Sequence, residues 1–265
     1  MSFASPYTKT VSRIAFLMAF AFAVPSFAIT VGFEDFATGD VDGVGGWHDF
    51  GGTQPNLVTT EQARTGSQSL KQSLNPAESD GYGSDVYHDL PMVHSTGTWD
   101  LSYWVFVPSD FNGASIFHLS EATVESAILS GDDLDFGIQL VVDGSDTFNE
   151  VLVSQDGETG VGVPLIRNQW VEVAASINLD ANTVTATYNG SSLFSGTWDP
   201  NPVDGSDVPT IGGFNMWVQG VTLAGDGASG SIYFDDISLV PEPSSGLMGL
   251  LALGSVAALC RRRRK

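Results

Sequence analysis

Cysteine is all but absent. The 265-residue chain has one, Cys260, five residues from its end. A disulfide framework is therefore excluded, and core packing, with metal if any, has to hold the fold. Basic residues are nearly as scarce. Between residues 29 and 240 only Arg64, Lys71 and Arg167 face 30 acidic residues, so this region carries about −27 within a chain total of −21. Such a field repels nucleic acid and anionic lipid, which excludes nucleic-acid binding. An acidic polysaccharide is a poor ligand for it unless cations screen or bridge the charge. Two origins fit the excess: solubility in a saline habitat, and divalent-cation sites.

Helical periodicity is also missing between 29 and 240, apart from a turn or two at Ser120–Leu129. What is present is short, alternating and separated by Gly, Asp and Asn turns. Thirteen strands are expected, near 30–33, 57–60, 67–74, 84–88, 99–107, 115–119, 136–142, 150–154, 169–177, 183–188, 191–195, 210–218 and 230–239. In Trp99–Val107 both faces are fairly apolar, which places that strand centrally. Val171, Val173, Ala175 and Ile177 alternate with polar neighbours, as on a half-buried strand. Asn189-Gly190 suits a type I′ hairpin. The expected fold class is all-β, a β-sandwich of jelly-roll or concanavalin-like type, in one domain over 29–240.

The two ends differ from this region. Lys9 and Arg13 precede the apolar run Ile14–Val24, and Pro25-Ser26-Phe27-Ala28 closes it. This order reads as a signal peptide over 1–28, a signal helix cut after Ala28. At the other end, residues 241–265 hold Pro241-Glu242-Pro243, an apolar run Gly246–Cys260, and the basic residues Arg261, Arg262, Arg263, Arg264 and Lys265. Fifteen helical residues span roughly 22 Å, short of a ~30 Å hydrocarbon core, so flanking residues must complete this transmembrane-like helix. The basic end keeps to the cytoplasm.

The tail resembles the PEP-CTERM sorting signal of exopolysaccharide-secreting bacteria. The resemblance implies processing by an exosortase near Pro-Glu-Pro, and delivery to the cell surface or extracellular matrix. The membrane is then engaged only through the C-terminal helix, before processing. Gly32-Phe33-Glu34-Asp35-Phe36, Ala63–Lys71 and Phe234-Asp235-Asp236-Ile237-Ser238-Leu239 resemble motifs of jelly-roll carbohydrate-binding modules. Pro164–Ser195 looks more like laminin-G domains. In the carbohydrate-binding relatives the early Glu, carbonyls of the Gly turn and a terminal Asp hold a structural calcium. The resemblance implies calcium at Glu34, Gly66 and Asp235 or Asp236. The chemistry is consistent: adjacent acids on a strand face opposite sides, so one points inward unless a bulge intervenes, and a buried carboxylate needs a partner. The alternative is a solvated pair at a strand edge. Asp132-Asp133-Leu134-Asp135 and Asp40-Val41-Asp42 lack the spacing of an EF-hand and read as solvated loops.

Catalytic arrangements are missing. His48, His88, His94 and His118 have no metal-ligand spacing, and no Gly-x-Ser-x-Gly elbow is present. Neither the Glu-x-Asp-x-x-Glu strand of concanavalin-like glycosidases nor the Gln-x-His strand of alginate lyases occurs. Tyr87-His88 reads as a strand-end pair sooner than as an acid/base pair. The expectation is therefore a non-enzyme. Sugar rings stack on aromatic faces while polar groups take their hydroxyls. Trp217, Gln219 and Asn215 share one strand, and Trp47 and Trp104 are further platforms, each against the alternative of a core residue. The favoured role is carbohydrate (exopolysaccharide) binding. The rivals are a structural or adhesive matrix protein without a defined ligand, and a polysaccharide lyase or glycoside hydrolase.

Overall fold

The computed structural model describes residues 28–125, 136–145, 148–155, 158–200, 208–220 and 227–242. The expected signal helix and C-terminal helix, with Pro243 and Arg261 to Arg264, lie outside the described residues. The elements are β1 (Ile29–Val31), β2 (Gly39–Asp40), β3 (Trp47–Asp49), β4 (Leu57–Thr59), β5 (Ser69–Ser73), β6 (Asp85–His94), β7 (Thr98–Phe106), β8 (Ala114–Ser120) and β9 (Phe136–Asp143). They continue with β10 (Glu150–Gln155), β11 (Glu158–Thr159), β12 (Val163–Pro164), β13 (Trp170–Asn178), β14 (Thr183–Tyr188), β15 (Ser191–Thr197), β16 (Ile211–Gln219) and β17 (Ser231–Pro241).

The strands form two antiparallel sheets. The first runs β15-β14-β13-β7-β17-β5-β4-β2, with β1 also on β17; the second runs β11-β10-β9-β8-β16-β6-β3, with β12 also on β10. The expected β-sandwich is present. All thirteen expected strands occur, and the four that sequence reading missed, β2, β3, β11 and β12, have two or three residues each. A strand that short has no alternation to detect. The expected helical turn begins at Val124–Glu125, and 126–135 lie outside the described residues.

Alternation decides which side chains form the core. On β7, Trp99, Leu101, Tyr103 and Val105 are buried while Thr98, Asp100, Ser102, Trp104 and Phe106 are half-exposed. β13 repeats the pattern, and the two strands pair in register over nine residues. Between the sheets runs a chain of rings: Phe234 to Tyr103 (5.9 Å), Tyr103 stacked on Phe117 (4.4 Å), Phe117 to Phe214 (4.8 Å), Phe214 to Trp47 (5.7 Å) and Trp47 to Phe33 (5.8 Å). Each such pair adds about 0.5–1.5 kcal/mol beyond its buried area. A polar tie accompanies it: Gln72 on β5 donates to the Met216 carbonyl of the other sheet (2.9 Å) and to Asn56 (2.9 Å).

β6 extends to His94, beyond the expected 88. Pro91 interrupts the alternation there, and the pairing with β16 shifts between Ile211 and Gly213. A proline without an N–H is tolerated where the ladder is broken. β17 also runs further than expected. Pro241 pairs with Trp99, and the Glu242 N–H donates to the Thr98 carbonyl (2.8 Å). The first two residues of Pro-Glu-Pro thus belong to the folded sheet. We expect a proline-specific endopeptidase to cut after Pro241 only once the domain unfolds, as read by mass spectrometry across a denaturant series; rapid cutting in native buffer would show that this end is not docked.

Candidate functional site

The side of the second sheet facing away from the core collects polar groups from six strands. Across it, His48 pairs with Tyr87, Tyr87 with Asn215, Asn215 with His118, His118 with Gln139, and Gln139 with Ser154. One step along the strands, Asp85, Trp217, Ile116, Val141 and Leu152 form a parallel row. Directly paired side chains lie about 4.5–5.5 Å apart at Cβ, so each row is one continuous surface. Trp217, Gln139, Val141, Leu152 and Ser154 are half-exposed, and His118, Asn215 and Ile116 form a buried floor between them.

Asn215 and Asp85 hold that floor in place. The Asn215 amide donates to Asp85 (2.6 Å) and to the Val86 carbonyl (3.1 Å), and the Tyr82 hydroxyl donates to the other Asp85 oxygen. Asp85 is 3 % exposed, and burial pushes its carboxyl up to about 6 against those two hydrogen bonds. Burial also pushes His118 down to about 3, so its imidazole is neutral at physiological pH. Trp217 meets His118 edge-on at 6.2 Å. One wall is the segment after β8: Asp89 accepts the backbone N–H groups of Val124 (2.7 Å) and Glu125 (3.0 Å). Gly212 and Gly213 make room for it, since a Cβ would fall 2.2 Å from Ala122 or 2.7 Å from Asp89.

Sequence reasoning placed Asn215, Trp217 and Gln219 on this face, and the parity of β16 agrees. Trp47 is elsewhere. It is wholly buried in the ring chain of the core and offers no platform. Trp104 lies on the outer side of the first sheet, with the Arg64 guanidinium 3.6 Å above its ring. Tyr87 and His88 point to opposite sides of β6: His88 packs on Trp47 and Phe214 in the core. The sequence reading weighed Tyr87 with His88 and named His118, but it did not group either with Gln139 or with Asn215, because no short-range spacing links residues 52 positions apart on three strands. Ala28, the expected cleavage position, is exposed where the described residues begin.

The expected calcium residues converge on one turn. A bulge between Asp235 and Ser238 puts Asp236 at φ 48°. Asp235 is fully buried, and Asp236 turns back toward Arg64. Asp235 accepts the N–H groups of Arg64 (2.9 Å), Thr65 (3.2 Å) and Asp236 (2.8 Å). Asp236 takes the Arg64 guanidinium and the Thr65 hydroxyl (2.8 Å). Glu34 accepts the N–H groups of Ser67 and Gln68 (both 2.8 Å), and these hold its carboxyl below the usual range. Gly66 has φ 61°, and a Cβ there would fall 2.2 Å from the Glu34 carboxyl carbon. The Gln68 amide takes the carbonyls of Phe33, Glu34 and Phe36.

Calcium needs six to eight oxygens with lone pairs turned to one point. Here all six carboxylate oxygens face N–H or O–H donors, and the neighbouring positive charge is Arg64. The set as folded does not fit the ion. Among the described residues no three His, Cys, Asp or Glu side chains group to hold a metal. Asp40, Asp42 and Asp49 line a shallow cleft, where Asp42 accepts the Asp49 N–H (2.9 Å).

Residues 239–265 match the PEP-CTERM protein-sorting motif, which marks the chain as exported, surface-directed and processed by an exosortase. No curated protein is significantly similar to the chain in sequence. Among solved structures, a variant of the alginate lyase Aly36B in complex with alginate trisaccharide aligns at a TM-score of 0.53 and 15% identity, covering 83% of this chain and 100% of that one. The cellulose-induced protein Cip1 aligns at 0.50 and 18% identity, covering 80% and 96%. A sialidase aligns at 0.55 and 9% identity over 81% of this chain and 18% of its own length. These likenesses establish the fold.

Two outcomes follow from the carboxylates. Asp85 binds its proton more tightly folded than unfolded, so its effect on stability is absent below its ordinary pKa of 3.8, grows destabilising as pH rises from there, and is complete above about 6. In Asp85→Asn, Oδ1 can accept from Asn215 and Nδ2 can donate to Tyr82. The stability difference between variant and wild type should therefore grow by roughly 2–3 kcal/mol between about pH 4 and pH 7, read from denaturant titrations; a pH-independent difference would refute the assignment. For the turn, chelation should leave the wild-type Tm unchanged, while Arg64→Ala lowers it by a few degrees, about 1–2 kcal/mol. A chelator-induced fall in wild type would show that a cation displaces these donors.

Proposed function

We propose that the domain is a carbohydrate-binding module of an exosortase-processed surface protein, and that it associates with polysaccharide through the Trp217 face. The observation that carries this reading is the composition of that face. A half-exposed indole stands in one row with Val141 and Leu152, beside Gln139, Ser154 and Gln219. An indole presents an apolar surface to the axial C–H groups of a sugar ring, and amides and hydroxyls match its hydroxyl groups. The face is also extended across strands, as a polymer requires. Before processing, the C-terminal apolar segment holds the protein at the membrane; afterwards it is free at the surface or in the matrix.

A second reading has one observation in its favour. Tyr87, Asn215, His118 and Gln139 in a single row are residue types used for proton transfer and carbonyl polarisation in polysaccharide cleavage. Against it, His118 is buried and held neutral, and no cation faces it to offset charge developing on a substrate.

A glycan array decides between these and a purely structural role. We expect retention of at least one polysaccharide, weakened about tenfold or more in Trp217→Ala, with no new reducing ends and no unsaturated product. Product release abolished by Tyr87→Phe would establish the enzyme reading. Absence of retention on every glycan would leave the structural role.

A further inference from the structure

The three positive side chains of the domain are all engaged inside the fold. Arg64 lies between Asp236 and the Trp104 ring, on the first sheet. Lys71, on the same sheet, donates to both oxygens of Glu61 (2.8 Å each), and Glu61 also takes the Tyr233 hydroxyl (2.6 Å). Arg167 donates to the carbonyls of Pro108 (2.7 Å), Phe111 (3.0 Å) and Gly144 and to the Asn149 side chain (2.9 Å), stitching three loops together. Because 29–240 contains no other lysine or arginine, no segment of the domain can bring a further one to the Trp217 face.

The charged groups near that face are acidic. Asp85 is on the face itself, and Asp89, Glu125 and Asp42 act on Tyr87. Asp49 acts on Asp85. The groups left to meet a ligand are the Trp217 indole, the Gln139 and Gln219 amides and the Ser154 hydroxyl, with the exposed His48 imidazole, stacked on Tyr87 at 5.3 Å, at the far end of the row. A carboxylate or sulfate ester on the sugar would enter a field of about −27 with no guanidinium or ammonium to receive it. Screening with a Debye length of about 8 Å at physiological salt does not remove that repulsion at contact.

We infer that the Trp217 face takes an uncharged polysaccharide and rejects uronate and sulfated polymers. The inference rests on the carbohydrate-binding reading and narrows it to a ligand class. It also separates this chain from the Aly36B structure, whose bound alginate trisaccharide is a polyuronate.

Affinity electrophoresis of the purified full-length chain in detergent tests it. Neutral β-glucan, xylan and galactomannan are compared with alginate and polygalacturonate, at low and high salt, with chelator present throughout. The expected result is retardation by at least one neutral polymer, insensitive to salt and reduced about tenfold or more in Trp217→Ala, with none by the polyuronates. Gln139→Ala, at a half-exposed position, provides the same readout should Trp217→Ala fail to fold. Retardation by a polyuronate as strong as by any neutral polymer would overturn the charge inference and leave carbohydrate binding standing. No retardation by any polymer would overturn the carbohydrate-binding reading and this inference with it.

Discussion

A carboxylate leaving water in this fold has almost no cation to meet, with thirty acids and three bases between residues 29 and 240. It has to be received by N–H and O–H donors, and the structure is arranged around those donors. Asp235 is taken by three backbone N–H groups, Glu34 by two, and Asp89 by those of Val124 and Glu125 after β8. Asp85, the most deeply desolvated of those on the Trp217 face, is left with one hydroxyl and one amide, and its affinity for a proton rises accordingly. Hydrogen bonds to charged groups contribute about 1.5–3 kcal/mol each, so these donors hold the turns in place.

The same requirement shapes the seam where the two ends of the domain meet. β17 lies between β7 and β5, and β1 pairs onto it at Ile29–Val31. The bulge at Asp236 lets two adjacent acids serve different partners without placing either against the apolar core. Because β17 runs on through Pro241, the sorting signal begins inside the sheet.

Much of the fold was legible in the chain. Trp99 to Val107 and Val171 to Ile177 alternate strictly, and alternation of period two maps directly onto the two sides of a sheet. Asp235-Asp236 signalled a conflict that a bulge resolves. The Trp217 face was legible only along β16, where Asn215, Trp217 and Gln219 sit two residues apart. Tyr87, His118 and Gln139 join them through strand order, and strand order in a sandwich has no local signature. Trp47 and Trp104 show the limit from the other side: each read as a platform or a core residue, and the structure encloses one between Phe33 and Phe214 and covers the other with Arg64.

The chain by itself determined the all-β class, the absence of disulfides, the acidic surface and the sorting tail, because each of these follows from composition or from contiguous pattern. Tertiary structure decided which carboxylates are buried, which donors receive them, and which polar residues share a face. Those outcomes depend on which strands become neighbours, as when Arg64 reaches Asp236 across 172 positions of sequence, and pairing of that range is set by the packing of two sheets.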